Sequence, residues 1–489
     1  MLFHFLLGCD DVKKKLLVLL LLIPLLISGC SIKKEKLILA TEAGFAPYEY
    51  YENGEIVGVD IDIAKEIANR LNKDLVVKDV AFDSIISEVK TEKSDFGAAG
   101  ISYTEERAKE VDFSIDYMES KQVLIVKDSS MITSPKQLKR ERVAVQLGSV
   151  ADSYLTEEYP YLTIIREKKF LAAIQDLIDD KVDAVAMDEI PAKELIKSDM
   201  KILGEALVVD HYGMIVKKGN KELLDNINEV IKNMQKEGKI DEILLTHMGL
   251  KEKQNIPDRN NQSITEKFYY SIIYDGRYKY IIEGLKNTLL IALGAVLLGV
   301  LLGGITAIIR NINENTNKLK ILSTLAKTYV TVIRGTPSIL QLMIVYYVIF
   351  KAVDINIVLV GILSFGINSG AYVAEIIRAG INSVDKGQID AGYALGLHYD
   401  HIMGKIVLPS AIKNILPALG NEFITLVKET SVGAYIGIVE LTKASDIIAS
   451  RTYDYFFPLI IIALIYLLIT LVLTKLISIM EVKLKHARN

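Results

Sequence analysis

From residue 287 to 309 the chain carries no charged side chain, and Lys286 and Arg310 bracket the run. A stretch of that length and character can cross a bilayer as a helix. Three more uncharged apolar runs follow. They are 335–350, with the span beginning near Lys327, then 355–374 between Asp354 and Glu375, and 455–474 between Asp454 and Lys475. A fifth, around 411–439, is interrupted by Glu422, Lys428 and Glu429. Ionisable residues in such a setting point to a role in the path, or to a helix end at the membrane face. No comparable run occurs between 36 and 250, so the chain must fold as two unlike parts.

The average composition, 51% hydrophobic and 24% charged over 489 residues, hides this division. A net charge of −4 argues against a nucleic-acid partner. With no Trp in the chain, anchoring at the lipid interface falls to Tyr and Phe. Cys9 and Cys30 are the only cysteines, so no disulfide can form beyond residue 30. Lys13, Lys14 and Lys15 precede the apolar stretch 16–27, which ends in Ile-Ser-Gly-Cys. That order describes a secretory signal over 1–30. Its end resembles a bacterial lipobox, in which Cys30 would be acylated; the alternative is an uncleaved signal anchor. Residues 1–12, at the head of this segment, fit neither account.

Residues 31–250 alternate strand-like runs (KLILATE, DLVVKDV, DFGAAGI, QVLIVK, RVAVQL, DAVAMD) with amphipathic segments. In GVDIDIAKEIANRLNK, Ile61, Ala64, Ile67, Ala68 and Leu71 recur at helical spacing. The pattern predicts a soluble α/β domain with mostly parallel sheets. A polar stretch containing Pro257 begins a linker over 251–280, and 281–489 forms an all-α membrane domain of five spans. Lys and Arg concentrate in the first and third connections and at the C-terminus, which places those on the cytoplasmic side and the soluble domain outside. The signal segment requires the same side.

Within the soluble domain, ATEAGFAPYEY (40–50) puts aromatics on a turn after a strand, and Phe82 precedes a helix. Gly100, Ser102 and Arg107 stand at a strand exit, Gly148 and Ser149 at a helix start, and Asp188 at the end of an apolar strand. A free α-amino acid needs a positive fork on its carboxylate, which arginine gives with bidentate geometry. Backbone N–H groups at a helix start add to it. Its ammonium needs an anion, which Asp188 supplies with help from Ser102 and the Gly100 carbonyl. Phe45 and Phe82 can sandwich the aliphatic part. Singly, Arg107 reads as a surface ion-pair partner, Asp188 as a helix cap and the phenylalanines as core; the ordered set reads as a site.

These motifs resemble periplasmic binding proteins for polar amino acids (family 3) over essentially all of 36–250, with a two-lobed fold. The matching runs are NGEIVGVDIDIAKEIA, GISYTEERAKEVDFS, LIDDKVDAVAMDE and YGMIVKKGNKELL. The resemblance implies stacking by Phe45 and Phe82, ligand contacts from Gly100, Ser102, Arg107 and Ser149, and an ammonium contact from Asp188. Where family members often carry two hydroxyl residues, this chain has Ser149-Val150. Glu42 sits where the family places a residue that reaches the ligand's side chain. An anion there favours a basic ligand such as arginine or lysine, and also suits cystine or glutamine. The lobes are expected to join through crossovers near 122–127 and 211–216 and to close on ligand.

The second half resembles the permease subunit of ATP-driven (ABC) amino-acid importers of the histidine/glutamine type. Gly294, Gly299, Gly303 and Gly304 suit close helix packing, and Pro337 interrupts the second span. The specific segment is QIDAGYALGLHYDHIMGKIVLP (388–409). The family's cytoplasmic loop reads Glu-Ala-Ala, three residues, Gly, then Leu-Pro; here it is Asp390-Ala391-Gly392, Gly396 and Pro409. A helix, a turn at Gly396 and a second helix are expected, with Ile389, Tyr393, Leu397, Ile402 and Ile406 docking on the ATPase. A helix lying on lipid would share the periodicity.

No G-x-x-x-x-G-K-[ST] motif occurs in the chain, so the ATPase is expected as a separate cytoplasmic partner, with no cofactor in this chain. A second permease copy is expected to complete the pathway in a bacterial cytoplasmic membrane. A glutamate-receptor-like channel would interrupt its binding domain with pore helices, whereas here all spans follow it. A dehydratase on the same scaffold would need a catalytic acid or base in place of the clamp.

Overall fold

A computed structural model describes residues 35–52, 54–248, 263–350, 353, 355–452 and 454–486. The signal segment with Cys9 and Cys30, and the first part of the linker, lie outside the described residues.

Two lobes form the first half. The chain lays down β1 (Lys36–Thr41), the hairpin β2 (Tyr50–Glu52) and β3 (Glu55–Val57), β4 (Asp74–Asp79), β5 (Phe96–Gly97) and β6 (Val111–Phe113). It then crosses to the second lobe for β7 (Met118–Lys127), β8 (Arg142–Gln146), β9 (Thr163–Glu167), β10 (Ala184–Asp188), β11 (Met200–Ile202) and β12 (Val208–Tyr212). It returns to add β13 (Ile215–Lys217) to the first sheet, whose order is β4-β1-β5-β13-β6. The second sheet runs β11-β7-β10-β8-β9, with β12 also on β7.

Two expectations change here. The sheets are mixed: β1 is parallel to β4 and β5, and β8 to β9 and β10, but the strands next to the crossovers pair antiparallel. A strand that returns from the other lobe meets its neighbour head to tail. The first crossover lies at 113–118, not 122–127, and pairs with 212–215 through Ser114 N–H to Met214 O (2.8 Å) and Tyr117 N–H to Tyr212 O (3.0 Å). The QVLIVK run is instead the buried centre of the second sheet, because an apolar run marks burial and does not say which sheet it fills.

Helix α1 (Val59–Arg70) buries Ile61, Ala64, Ile67 and Ala68 against the first sheet. In the second lobe α2 (Val150–Glu158) and α3 (Phe170–Ile178) begin at the cleft, and α4 (Lys221–Lys236) returns to cover the first lobe.

Only part of the predicted linker is featureless in sequence. Ser263 and Glu266 form a reciprocal capping box that starts the helix Ile264–Phe268, and Ile272 beyond it is buried.

The second half consists of α5 (Tyr278–Thr316), α6 (Lys320–Gly335), α7 (Ser338–Ile344), α8 (Ile357–Asn382), α9 (Lys386–Ala394), α10 (Leu408–Glu429), α11 (Leu441–Thr452) and α12 (Phe456–His486). Among the described residues, Tyr278–Asn315, Ile357–Asn382, Tyr399–Ile436 and Phe456–Leu484 are long and apolar enough to cross a membrane. A fifth crossing is made if Lys320–Gly335 and Ser338–Ile349, bent by 111°, count as one span. The bend falls at Pro337, which lacks the N–H a continuous helix needs. A Cβ on Gly299 or Gly303 would come within 2.7 Å of Ser369 or Val373 on α8, so these positions fix how closely the two longest-packed spans approach. Gly304 faces open space.

Candidate ligand-binding site

One cavity between the lobes is lined by all eight residues singled out in the soluble domain: Glu42, Phe45, Phe82, Gly100, Ser102, Arg107, Ser149 and Asp188. The first lobe brings the turn after β1 and the exit of β5; the second brings the starts of α2 and α3 and the end of β10. Gly100 lies three residues past the end of the two-residue β5. Its φ of +52° turns the chain toward the cleft, and a Cβ there would lie 2.6 Å from Phe45 Cε1. Gly100→Ala is therefore expected to displace the Phe45 ring and to cost about 2 kcal/mol of stability, read as a lowered Tm together with loss of the ligand response.

At one end, the Arg107 guanidinium is fixed from both lobes. Nη1 donates to Ser102 O (2.6 Å) and Nη2 to Gly148 O (2.8 Å), leaving the rest of its five N–H donors for an anion. Its ring neighbour is Phe82, 5.6 Å away. Ser149 caps α2 by accepting from Asp152 N–H (3.2 Å), so the first turn of α2 points into the same corner.

Asp188 precedes a short helix but makes no side-chain cap bond. Its Oδ1 instead accepts from Ser120 Oγ (2.6 Å), Gln122 Nε2 (2.6 Å) and the Tyr212 hydroxyl. Gln122 also reaches Asp210 Oδ2 (3.3 Å), to which Ser102 Oγ donates. Burial, and then the charge of Asp210, push the Asp188 carboxyl up to about 7. Two buried carboxyls side by side cannot both ionise cheaply without a cation between them.

At the other end lie Glu42, Glu49 and the ring of Phe170, which stacks on Phe45 at 5.5 Å. Lys169 of the second lobe approaches Glu42 Oε1 at 3.3 Å, and both are largely buried. Burial raises the Glu42 carboxyl, opposed by Lys169. Burial and the adjacent Asp60 hold Glu49 well above the usual carboxylate range, while Asp60 is pushed up to about 6 by burial. Asp60 is engaged by Gly100 N–H (2.9 Å) and the Tyr117 hydroxyl (2.7 Å).

Sequence reasoning missed Glu49, Gln122, Gln146, Phe170 and Asp210. Gln146 and Gln122 did carry a signal: Gln146 ends the apolar run of β8, Gln122 stands where β7 turns from polar to apolar, and both are fully buried. Asp210 carried none, because its neighbours Val209 and His211 read as an ordinary half-exposed strand.

In the second half, 388–409 forms the helix, turn and helix expected of it, with Gly396 at φ +75°. Its second helix continues into the Tyr399–Ile436 span. One expectation is corrected: Ile402 is fully buried among Val384, Met403, Val407 and Ala411, so it packs the loop itself and cannot dock elsewhere. Gly392 is buried against it, and a Cβ there would meet Ile402 Cγ1 at 2.9 Å. Asp390, Ala391, Tyr393 and Pro409 are exposed, as is Leu395. Glu422 accepts from Ser369 Oγ (2.8 Å) inside the bundle, Lys428 is exposed and Glu429 ends α10.

Residues 37–249 match the family of bacterial extracellular solute-binding proteins, family 3, and 280–486 match the binding-protein-dependent transport system inner membrane component. A putative glutamine transport system permease protein GlnP of Rickettsia prowazekii is 39% identical over 217 residues, 44% of this chain and 97% of that protein. The arginine transport system permease protein ArtQ of Bacillus subtilis is 39% identical over 208 residues, 42% of this chain and 93% of that protein. The arginine-binding extracellular protein ArtP of the same organism is 32% identical over 223 residues, covering 44% and 87% of the two chains. The chain thus belongs to the amino-acid transport families of ABC importers, as a transport component rather than an enzyme, and joins in one polypeptide a family-3 solute-binding domain and an inner-membrane permease component.

Proposed function

We propose that this chain captures a basic amino acid outside a bacterial cytoplasmic membrane and passes it through its own permease half, driven by a separate cytoplasmic ATPase. The observation that carries the ligand class is the cavity with Arg107 at one corner, the Asp188–Asp210 pair beside it and Glu42 at the far end. Arg107 and the first turn of α2 hold the carboxylate. The ammonium lies between Asp188 and Asp210, and Phe45 and Phe82 flank the stem. Charge balance favours a cationic side chain. Glu42, Asp188 and Asp210, with Glu49 and Asp60 beside them, outnumber Arg107 and Lys169, and this excess of carboxyls suits a cationic ligand. The arginine-transport relatives support this lean.

A neutral amide ligand such as glutamine is the second reading, because Lys169 already occupies one oxygen of Glu42. A thermal-shift panel of the twenty amino acids plus cystine and ornithine on the full chain separates the two. The largest shifts are expected with arginine and lysine. A shift with glutamine alone would favour the second reading, and no shift at all would sink the receptor reading.

On the cytoplasmic side, Tyr393 and Leu395 beside Gly396 present the contact for the ATPase. A second permease copy completes the pathway, identical to this one in the simplest assembly. Cys30 anchors the mature N-terminus by acylation. Tethering then keeps each receptor at high effective concentration over its permease.

A further inference from the structure

The turn that carries Glu42 is held by a residue of the permease half. Asp79, at the end of β4, accepts from Ala43 N–H (3.1 Å) through Oδ1 and from the Tyr51 hydroxyl (3.0 Å) through Oδ2. Its charge is met by Lys443 Nζ of α11 at 2.7 Å, and both side chains are buried. A buried carboxylate that anchors the backbone next to Glu42 therefore depends on a cation that the receptor domain does not supply. The second lobe meets the same helix: Lys169, paired with Glu42 across the cleft, feels Asp446 of α11 as its next strongest anion. Lys168 beside it lies 3.5 Å over the ring of Tyr435. Helix α11 and the segment just before it thus face both lobes of the receptor.

The helix is in turn fixed to two spans. Glu440 caps it by accepting from Thr442 N–H (2.8 Å) and Lys443 N–H (2.7 Å) and accepts from Tyr466 of α12 (3.1 Å). Asn287 of α5 donates to Val439 O (2.8 Å), and Thr288 Oγ1 accepts from Leu441 N–H (3.3 Å). The path from α5 and α12 to the ligand's side-chain corner therefore runs through Lys443, Asp79 and Ala43 without a gap.

We infer that Lys443 of the permease half is a positioning residue for the receptor's ligand pocket, so that docking on α11 and ligand capture strengthen each other through the Lys443–Asp79 pair. By reciprocity, whatever the docked helix adds to ligand affinity, the bound ligand returns to docking. The inference rests on the receptor reading above.

The test is the dissociation constant of the full chain in lipid nanodiscs for arginine, or for whichever amino acid the panel shows to bind. The variants are Lys443→Met, Asp79→Asn, the double variant and Lys443→Arg. Each single variant is expected to weaken binding roughly ten-fold, inside the 5–150-fold range of ordinary couplings. The double should be no weaker than the worse single, and Lys443→Arg should lie near wild type. Should Lys443→Met not fold, Lys443→Gln and Asp79→Asn carry the same question, with a similar loss expected. Single variants within two-fold of wild type, or losses that multiply in the double variant, overturn the coupling alone. A wild-type chain that binds no amino acid overturns the receptor reading and this inference with it.

Discussion

Asp188→Asn should weaken ligand binding by about 100-fold or more, since removing one partner of a buried charge pair costs on the order of 3 kcal/mol. The same change should raise the Tm of the ligand-free chain at pH 8. The Asp188 carboxyl is buried beside Asp210 and titrates near 7 in the folded protein, well above its ordinary value. A raised carboxyl means that the folded state binds more protons than the unfolded one between about pH 4 and pH 7. This group's contribution is therefore least unfavourable below that window and becomes a full penalty above it. An amide carries no such penalty, and its oxygen can still accept from Ser120, Gln122 and Tyr212. The advantage of the Asn variant should shrink as the pH falls toward 5. Ligand affinity follows the opposite course, because the ammonium needs the charged carboxylate. Wild-type affinity should fall as the pH drops below about 7, by up to roughly ten-fold per unit, whereas the residual binding of the Asn variant should show no such step. Calorimetry at pH 5, 7 and 8 reads both trends. A variant that binds as wild type does would remove Asp188 from the site.

The division into two halves was legible because a long charge-free apolar run is costly to leave in water and matches the thickness of a bilayer. The eight cavity residues were legible for a different reason. Each binding group sits at the end of a strand or the start of a helix, and sequence shows those ends clearly. What escaped were residues whose part depends on which strands become neighbours. Asp210 and Gln122 share Asp188 only because β12 and β10 both pair with β7, a register that no single run encodes. The first crossover was misplaced for the same reason. Lys443 was out of reach altogether, since its partner Asp79 lies in the other half of the chain. The start of the membrane half was readable and passed over: Ser263-Ile-Thr-Glu266 is a capping box inside what its composition marks as linker.

Leu395→Asp should lower amino-acid uptake by at least ten-fold while leaving ligand affinity unchanged, the largest functional effect expected in the permease half. Leu395 is 80% exposed and Tyr393 51% exposed, two residues apart just before the αL turn at Gly396. Of the apolar residues in this segment, Ile402 is spent on the segment's own core, and Ile389 and Leu397 are packed against it. What remains outward is therefore a small apolar tip on a braced helix–turn–helix, suited to a groove on the ATPase. An acid placed on that tip costs the fold little, because a substitution at an exposed site shifts stability by within about 0.5 kcal/mol. It would, however, put an unpaired charge at the centre of a dry contact. Gly392→Ala would not improve coupling, because the added methyl meets Ile402 Cγ1 at 2.9 Å. Asp390→Glu should leave uptake within about two-fold, as changes at exposed sites usually do. The two readouts are uptake by cells expressing the importer and co-purification of the ATPase with the full chain. Loss of both for Leu395→Asp assigns the tip to the ATPase. Loss of uptake with the ATPase still bound would assign the segment to the lipid surface instead.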